Sequence, residues 1–550
     1  MALVRAAVAF GAMAALSAGT VQAAHAAPRP AASTPAGKAR NLKSKIVTGR
    51  PMRKPIPLGS RRFAGPTPTV KVDILDRDGN APPDANVSSV TFMAFGGGDW
   101  FDGTPVDGHV EGAIPAGDYA VQVRVKTDAK SGATSTTLVY RSKVSITADT
   151  SLTLDARQGR PVTASVDRAD AGVKDLTVQL MQDLGSGPEG VAMDGGTNFY
   201  ITPTGTDGGL TYTVQALLTR NGAETGSPYV YNLGAASPGI PADPALRART
   251  SALAAVRTTY TGEGGPACGG SHAGADWGTG MVLLPFTGLG SLPTTRTEYF
   301  TPGLDWSTDE DVTGGDCGFG FDSTDVRSRS VNFPRAGSYT RGWSAAPLGP
   351  AAAAIYWSAN SGPDAEPAMF VPMLSSADAR SQIAPYANMT GTSTLRDAAG
   401  NVVATSDQPG TAQGWTAPAP GQYTLTIDAE RSAAPRSDLA TRQHDVWNLT
   451  VDDGPKVTLP ALRYRTALDS GSRGKAGADQ AVTVVPDGTD GTPTLRVSCD
   501  DGVTWKDVAL HKDGTAWTGT VHNPSSGYVS LRTAVAGVVD QTVIRAYGVR

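Results

Sequence analysis

The 550 residues include 65 Gly and 39 Pro, with 40% apolar and only 18% charged residues. So turn-rich a chain excludes a helical bundle, and so apolar a chain excludes wholesale disorder; short strands joined by tight turns remain. Residues 1–65 hold eleven Lys or Arg and no Asp or Glu, leaving 36 bases against 51 acids in the rest, an acidic body that argues against nucleic acid as a partner.

Residues 1–26 read as a secretory signal: Arg5 supplies the positive start, Ala6 to Leu16 the apolar stretch, and Ala24-His25-Ala26 the small-x-small cleavage pattern. No later stretch approaches the roughly 20 apolar residues of a membrane span, so the expectation is a secreted, extracellular protein. Residues 27–65 are rich in Pro, Ser, Lys and Arg without strand alternation, and read as a basic disordered arm that could tether to anionic wall polymer or serve as a linker.

Order begins at Thr69, where Val70, Val72 and Ile74 alternate with Lys71 and Asp73. Asp76, Asp78 and Asn80 space their oxygens like the start of a calcium loop, but the twelfth position is Val87, so a turn is the preferred reading. Alternation returns at Tyr119–Val125, Val162–Val166 and Leu176–Leu180. Asp243 and Pro244 suit a helix start, and Leu246, Leu253, Val256 and Tyr260 fall along one face of a short helix. Cys268 and Cys317 flank a Gly-rich region and are expected to pair; Cys499 reads as a buried strand cysteine or one with an intermolecular partner.

One local unit recurs. A Gly turn precedes Tyr119, Tyr339 and Tyr423, with a shorter relative at Gly527-Tyr528. Each would bury the ring at the start of a strand and bond a nearby backbone carbonyl, a mark of β-sandwich domains. The expected fold is all-β: tandem β-sandwich domains, immunoglobulin- or prealbumin-like, with one short helix. Their expected bounds are 66–157, 158–241, 242–454 (helix plus a larger disulfide-containing domain) and 455–550.

Several stretches resemble the C-terminal accessory region of large secreted subtilisin-family serine peptidases of Gram-positive bacteria. They are Ile240-Pro241-Ala242-Asp243, Pro293-Thr294-Thr295-Arg296-Thr297-Glu298-Tyr299-Phe300, Gly421-Gln422-Tyr423-Thr424-Leu425, Ser530-Leu531-Arg532-Thr533, and Ile544-Arg545-Ala546-Tyr547-Gly548. The resemblance covers residues 66 to 550 and implies a region that accompanies a protease domain without being its catalytic part. The subtilisin triad itself is missing from the sequence. Asp469-Ser470-Gly471 and Gly391-Thr392-Ser393 resemble two of its elements in reversed order, and none of the six histidines precedes a Gly. A serine without a base beside it is a poor nucleophile.

Ser498-Cys499-Asp500-Asp501-Gly502-Val503-Thr504-Trp505 fits the Asp-box pattern S-x-D-x-G-x-T-W, which describes a structural hairpin turn. Asp309, Asp311, Asp316 and Asp322 are the candidate cation ligands, with structural Ca2+ as the one cofactor they suggest; the alternative is an acidic surface loop. No His/Cys group has zinc spacing and no Gly-rich loop suits phosphate. Trp100, Phe101, Trp277, Trp306 and Trp343 sit in Gly-rich contexts, where loop aromatics could stack on sugars or grip peptides. The expected function is therefore a secreted, non-catalytic binding or interaction protein, with cell-wall polymer, an extracellular protein or a partner protease as its partner. Two alternatives are a detached or degenerate part of a secreted serine peptidase, and a hydrolase using carboxylates near Asp309–Asp322.

Overall fold

The structure, a computed structural model, describes residues 45–48, 55–60 and 65–550, apart from 97, 129–132, 186, 208, 279–280, 315–316, 318–323, 329, 358–366, 377–381, 387–388 and 432–436. The segment expected to be a signal and most of the basic arm lie outside the described residues. Two parts of that arm do take up structure: Lys45–Thr48 pairs antiparallel with Met281–Leu284, and Ile56–Pro57 pairs with Phe101-Asp102.

The chain is all-β, and no α-helix occurs among the described residues. Its first layer is a three-stranded sheet of His109–Ala113, Thr69–Leu75 and Thr150–Asp155. Val70, Val72 and Ile74 point inward because strand side chains alternate. They pack on Phe92, Val121 and Val123 of a seven-stranded sheet. The other face of that sheet, including Met93, Leu138 and Tyr140, packs against Leu176, Val178 and Tyr212 of a second seven-stranded sheet. This second sheet runs from Pro188–Gly195 to Gly337–Trp343, and its far half faces a six-stranded sheet built on Ala267–Asp276 and Asp305–Gly314. The carboxy-terminal part centres on a nine-stranded sheet flanked by two four-stranded ones.

Several sheets cross the expected domain bounds. Arg160–Val162 and Phe199–Ile201 join the first seven-stranded sheet through Thr134–Ile146. Arg442–Val451 pairs with Val539–Val549, across the expected bound at 454 and 455. A charge-assisted contact seals the join to the carboxy-terminal part: Arg431 Nη2 lies 2.6 Å from Glu263 Oε2, with both side chains buried.

The short helix expected near residue 246 is absent. Leu246–Ala248 is a strand beside Ala164–Val166, Thr250–Ala252 is a 3₁₀ turn, and Ala254–Tyr260 is a strand. The physical reason is visible in Ala254, Val256, Thr258 and Tyr260, which alternate inward with period two; their β-branched and aromatic side chains favour a pleated surface. Asp243 keeps only the local part of its expected role, accepting from the Ala245 amide at 3.3 Å.

The recurring Tyr units are present. Tyr119, Tyr339 and Tyr423 each donate to the carbonyl four residues upstream, on Pro115, Arg335 and Ala419, at 2.6, 3.0 and 2.7 Å. Tyr528 differs, donating to Asp438 Oδ2 at 2.5 Å. Cys268 and Cys317 form the disulfide. Of the two readings of Cys499, a buried strand cysteine or one with an intermolecular partner, the first is overturned: the residue is exposed.

Candidate binding groove

The expected aromatic platforms are mostly core residues. Trp306 and Trp343 are fully buried: Trp306 packs edge-on against Phe300, and Trp343 stacks parallel to Tyr260. Phe101 is buried against Tyr119. Trp100 and Trp277 are half-buried against neighbouring cores. The Trp277 ring lies so close to Gly234 that a β-carbon there would come within 3.1 Å. Composition marked these residues correctly as aromatic and Gly-flanked, but which sheet face each meets is decided by register.

The expected acidic surface loop is likewise interior. Asp309, Glu310 and Asp311 lie in the strand Asp305–Gly314 and are all buried, while Asp316 and Asp322 fall outside the described residues. Asp311 Oδ2 is 3.0 Å from His272 Nε2, and among the described residues no three His, Cys, Asp or Glu gather as a metal site. The turn at Asp76 holds itself together: its carboxylate accepts from the Asp78 and Asn80 amides, each at 2.9 Å.

Between the two sheets lies a buried charge network. Arg296 Nη2 donates to Glu298 Oε1 at 2.7 Å, Tyr260 to the same oxygen at 2.6 Å, and Thr258 to Oε2 at 2.8 Å. Burial pushes the Glu298 carboxyl up, but Arg296 and these hydrogen bonds outweigh it and hold it below the usual range. Glu310 accepts from the Ser344 hydroxyl, but burial outweighs that bond and the nearby Arg341 guanidinium and pushes it up to about 8. The cavity among these groups measures ≈ 10 Å³, about the room one water needs. That is too small for a substrate.

Ser393, the residue most like a subtilisin nucleophile, is also built into the fold. It is buried, its hydroxyl donating to the Gln408 carbonyl at 3.1 Å and accepting from the Gly410 amide at 3.0 Å. Asp469 is a turn carboxylate, accepting from the Gly471 and Arg473 amides and paired with Arg550.

Room for a ligand exists on the outer face of the nine-stranded sheet. A groove of ≈ 590 Å³ runs across Gly421–Arg431, Arg442–Val451 and Val539–Val549 to the Asp-box hairpin, within the span of roughly 300–1,000 Å³ typical of small-ligand sites. Alternation puts Leu425, Ile427 and Trp447 into the core and leaves Asp428, Glu430, Arg442 and His444 to line the groove. His444 Nδ1 lies 2.6 Å from Asp428 Oδ1, and Arg442 Nη2 donates to the Asp501 carbonyl at 3.3 Å. Arg532 grips Asp540 through two nitrogens at 3.1 and 2.7 Å. Gly391 is required at the groove wall, because a β-carbon there would sit 1.9 Å from the Asp428 carbonyl oxygen.

The hairpin at the far end is the Asp box read from the sequence. Asp500 accepts from the Ser498 hydroxyl at 2.6 Å and from the Thr504 amide and hydroxyl at 2.9 and 2.6 Å; these bonds lower its carboxyl to about 2. Gly502 takes a φ of +89°, and Trp505 Nε1 donates back to the Gly502 carbonyl at 3.0 Å. The half-buried Trp505 ring therefore closes one end of the groove. Asp501 and Arg545 both hold left-handed backbone, at φ 56° and 58°, and pair at 2.7 Å, a costly local arrangement of the kind that persists where neighbours fix it. Asp501, Gly502 and Trp505 carried a sequence signal as parts of the Asp box; Arg442 and His444 are outward positions on alternating strands, which look the same in sequence whether or not they line a site.

No family model matches the chain, and no curated protein matches it. Among solved structures, the Bacillus anthracis TIE protein is similar at 10% identity, over 50% of this chain and 50% of that one. The chain thus spans about half the length of that protein, and the TM-score is 0.12.

Proposed function

We propose that the chain is an exported, non-catalytic extracellular binding protein, comparable to the accessory half of a subtilisin-family peptidase, and that the groove on the nine-stranded sheet is its binding site. The groove itself carries this reading: it has ligand-sized room and several polar groups held in fixed orientations. The buried Ser393 and the water-sized interior cavity support the non-catalytic side of the proposal, since neither the serine nor the acidic run offers a substrate access. Candidate partners are cell-wall polymer, an extracellular protein or a partner protease.

The test is a pull-down from wall extract and culture supernatant with the intact chain and with Arg442→Ala. Capture by the intact chain that is lost in the variant is the expected result. Capture that the variant leaves unchanged would place binding elsewhere, and hydrolysis of casein or polysaccharide by protease-free material would overturn the non-catalytic reading.

A further inference from the structure

Resting on the reading of this groove as a binding site, we infer that its ligand is an uncharged glycan chain, with one sugar ring stacked on Trp505 and hydroxyls read by Arg442, His444 and Glu430.

Charge balance is the first support. The groove is lined by two arginines, Arg442 and Arg532, against three carboxylates, Asp428, Glu430 and Asp501, so it carries no excess of positive charge. His444 and Arg532 are each already paired to a carboxylate. Such a surface projects little net field, so it offers a polyanion no counterion-driven attraction.

The second support is topological. A peptide captured by strand addition needs a free sheet edge. The three central strands offer none, because Gly421–Arg431, Arg442–Val451 and Val539–Val549 are each hydrogen-bonded to a strand on both sides; the neighbouring Met389–Asp397, which brings Thr390 and Gly391 to the groove, is paired on its outer side at Ser393–Arg396. The apolar side chains of the lining are Ala429, Trp505 and Ile544, of which Ala429 and Ile544 are buried, so a protein partner finds few exposed apolar anchors.

The third support is the kind of group present. Guanidinium, imidazole and carboxylate offer donors and acceptors within one wall, which suits hydroxyls that both donate and accept. An aromatic face at one end gives the C–H face of a pyranose an apolar, weakly negative surface. The side chains are held beforehand, Asp501 by Arg545 and His444 by Asp428, which lowers the ordering cost of binding.

Titration of the full chain with soluble cello-, chito-, malto- and xylo-oligosaccharides, followed by calorimetry and tryptophan fluorescence, tests the inference. Poly-glutamate and casein peptides serve as charged and peptide probes. At least one neutral oligosaccharide should bind and change the tryptophan emission, and Trp505→Ala and Arg442→Ala should each weaken it by about tenfold or more. Because Trp505 also braces the hairpin, Arg442→Ala and Glu430→Ala carry the test if Trp505→Ala does not fold. Binding of poly-glutamate or casein peptide alone, lost in Arg442→Ala, would overturn the glycan and leave the groove standing. Glycan binding indifferent to all three substitutions would overturn the groove itself, and binding of no probe would overturn the glycan inference.

Discussion

Glu310 shows how one buried carboxyl couples the fold to pH. Burial raises it to about 8, from 4.5 in an exposed chain. Between those values folding takes up a proton, so the stability tied to Glu310 is fully present below about pH 4.5 and is lost as pH rises toward 8. The slope is at most about 1.4 kcal/mol per pH unit. Glu310→Gln keeps the neutral shape without the proton, so its stability relative to the parent should rise from about pH 5 to about pH 8. Urea midpoints across that range would show it, and a pH-independent difference would mean that the carboxyl is ionised in the fold. Nothing in Asp309-Glu310-Asp311 as a string announces burial; three consecutive acids look solvated. Their interior position follows from pairing with Gly270-Ser271-His272, which brings them into the sandwich.

At the level of elements, the Tyr units were legible because their chemistry is local. The turn and the strand start lie within a few residues, and the hydroxyl returns to a carbonyl four residues upstream. Tyr423→Phe should therefore cost about 1 kcal/mol, measured as a shift in the denaturation midpoint with no change of fold. A cost near zero would mean that water replaces the bond. The Asp box was legible for the same reason, the bonds made by Asp500 and the Trp505 indole falling within Ser498 to Trp505. Residues 246–260 were misread because Val256 and Tyr260 satisfy the helical spacing and the strand spacing alike. What decides between them is the pairing of Ala254–Tyr260 with Thr294–Phe300 and Gly337–Trp343, strands far along the chain.

For the whole molecule, the all-β class was readable from composition, and the sheet arrangement was not. Linkers are sought where composition shifts, yet here strands reach across such places, as Arg442–Val451 does in pairing with Val539–Val549. A fragment of residues 455–550 separates the two halves of the nine-stranded sheet and exposes the unpaired edge of Val539–Val549 and the Trp447 contact surface. It should fail to fold alone, seen as a non-cooperative melt or aggregation, whereas a fragment of 345–550 retains both halves. Cooperative unfolding of 455–550 by itself would restore an independent last domain. The groove shares this dependence, since its floor is laid by strands from both sides of residue 455.

The placement of Val539–Val549 between Arg442–Val451 and Gly527–Val535 also sets an order of events. This strand is the last of its sheet to leave the ribosome and one of the most central to be inserted. The sheet therefore cannot close progressively as the chain emerges; its middle position waits for residues some hundred positions later. Most contacts in the chain join residues far apart in sequence, and slow final folding follows from that.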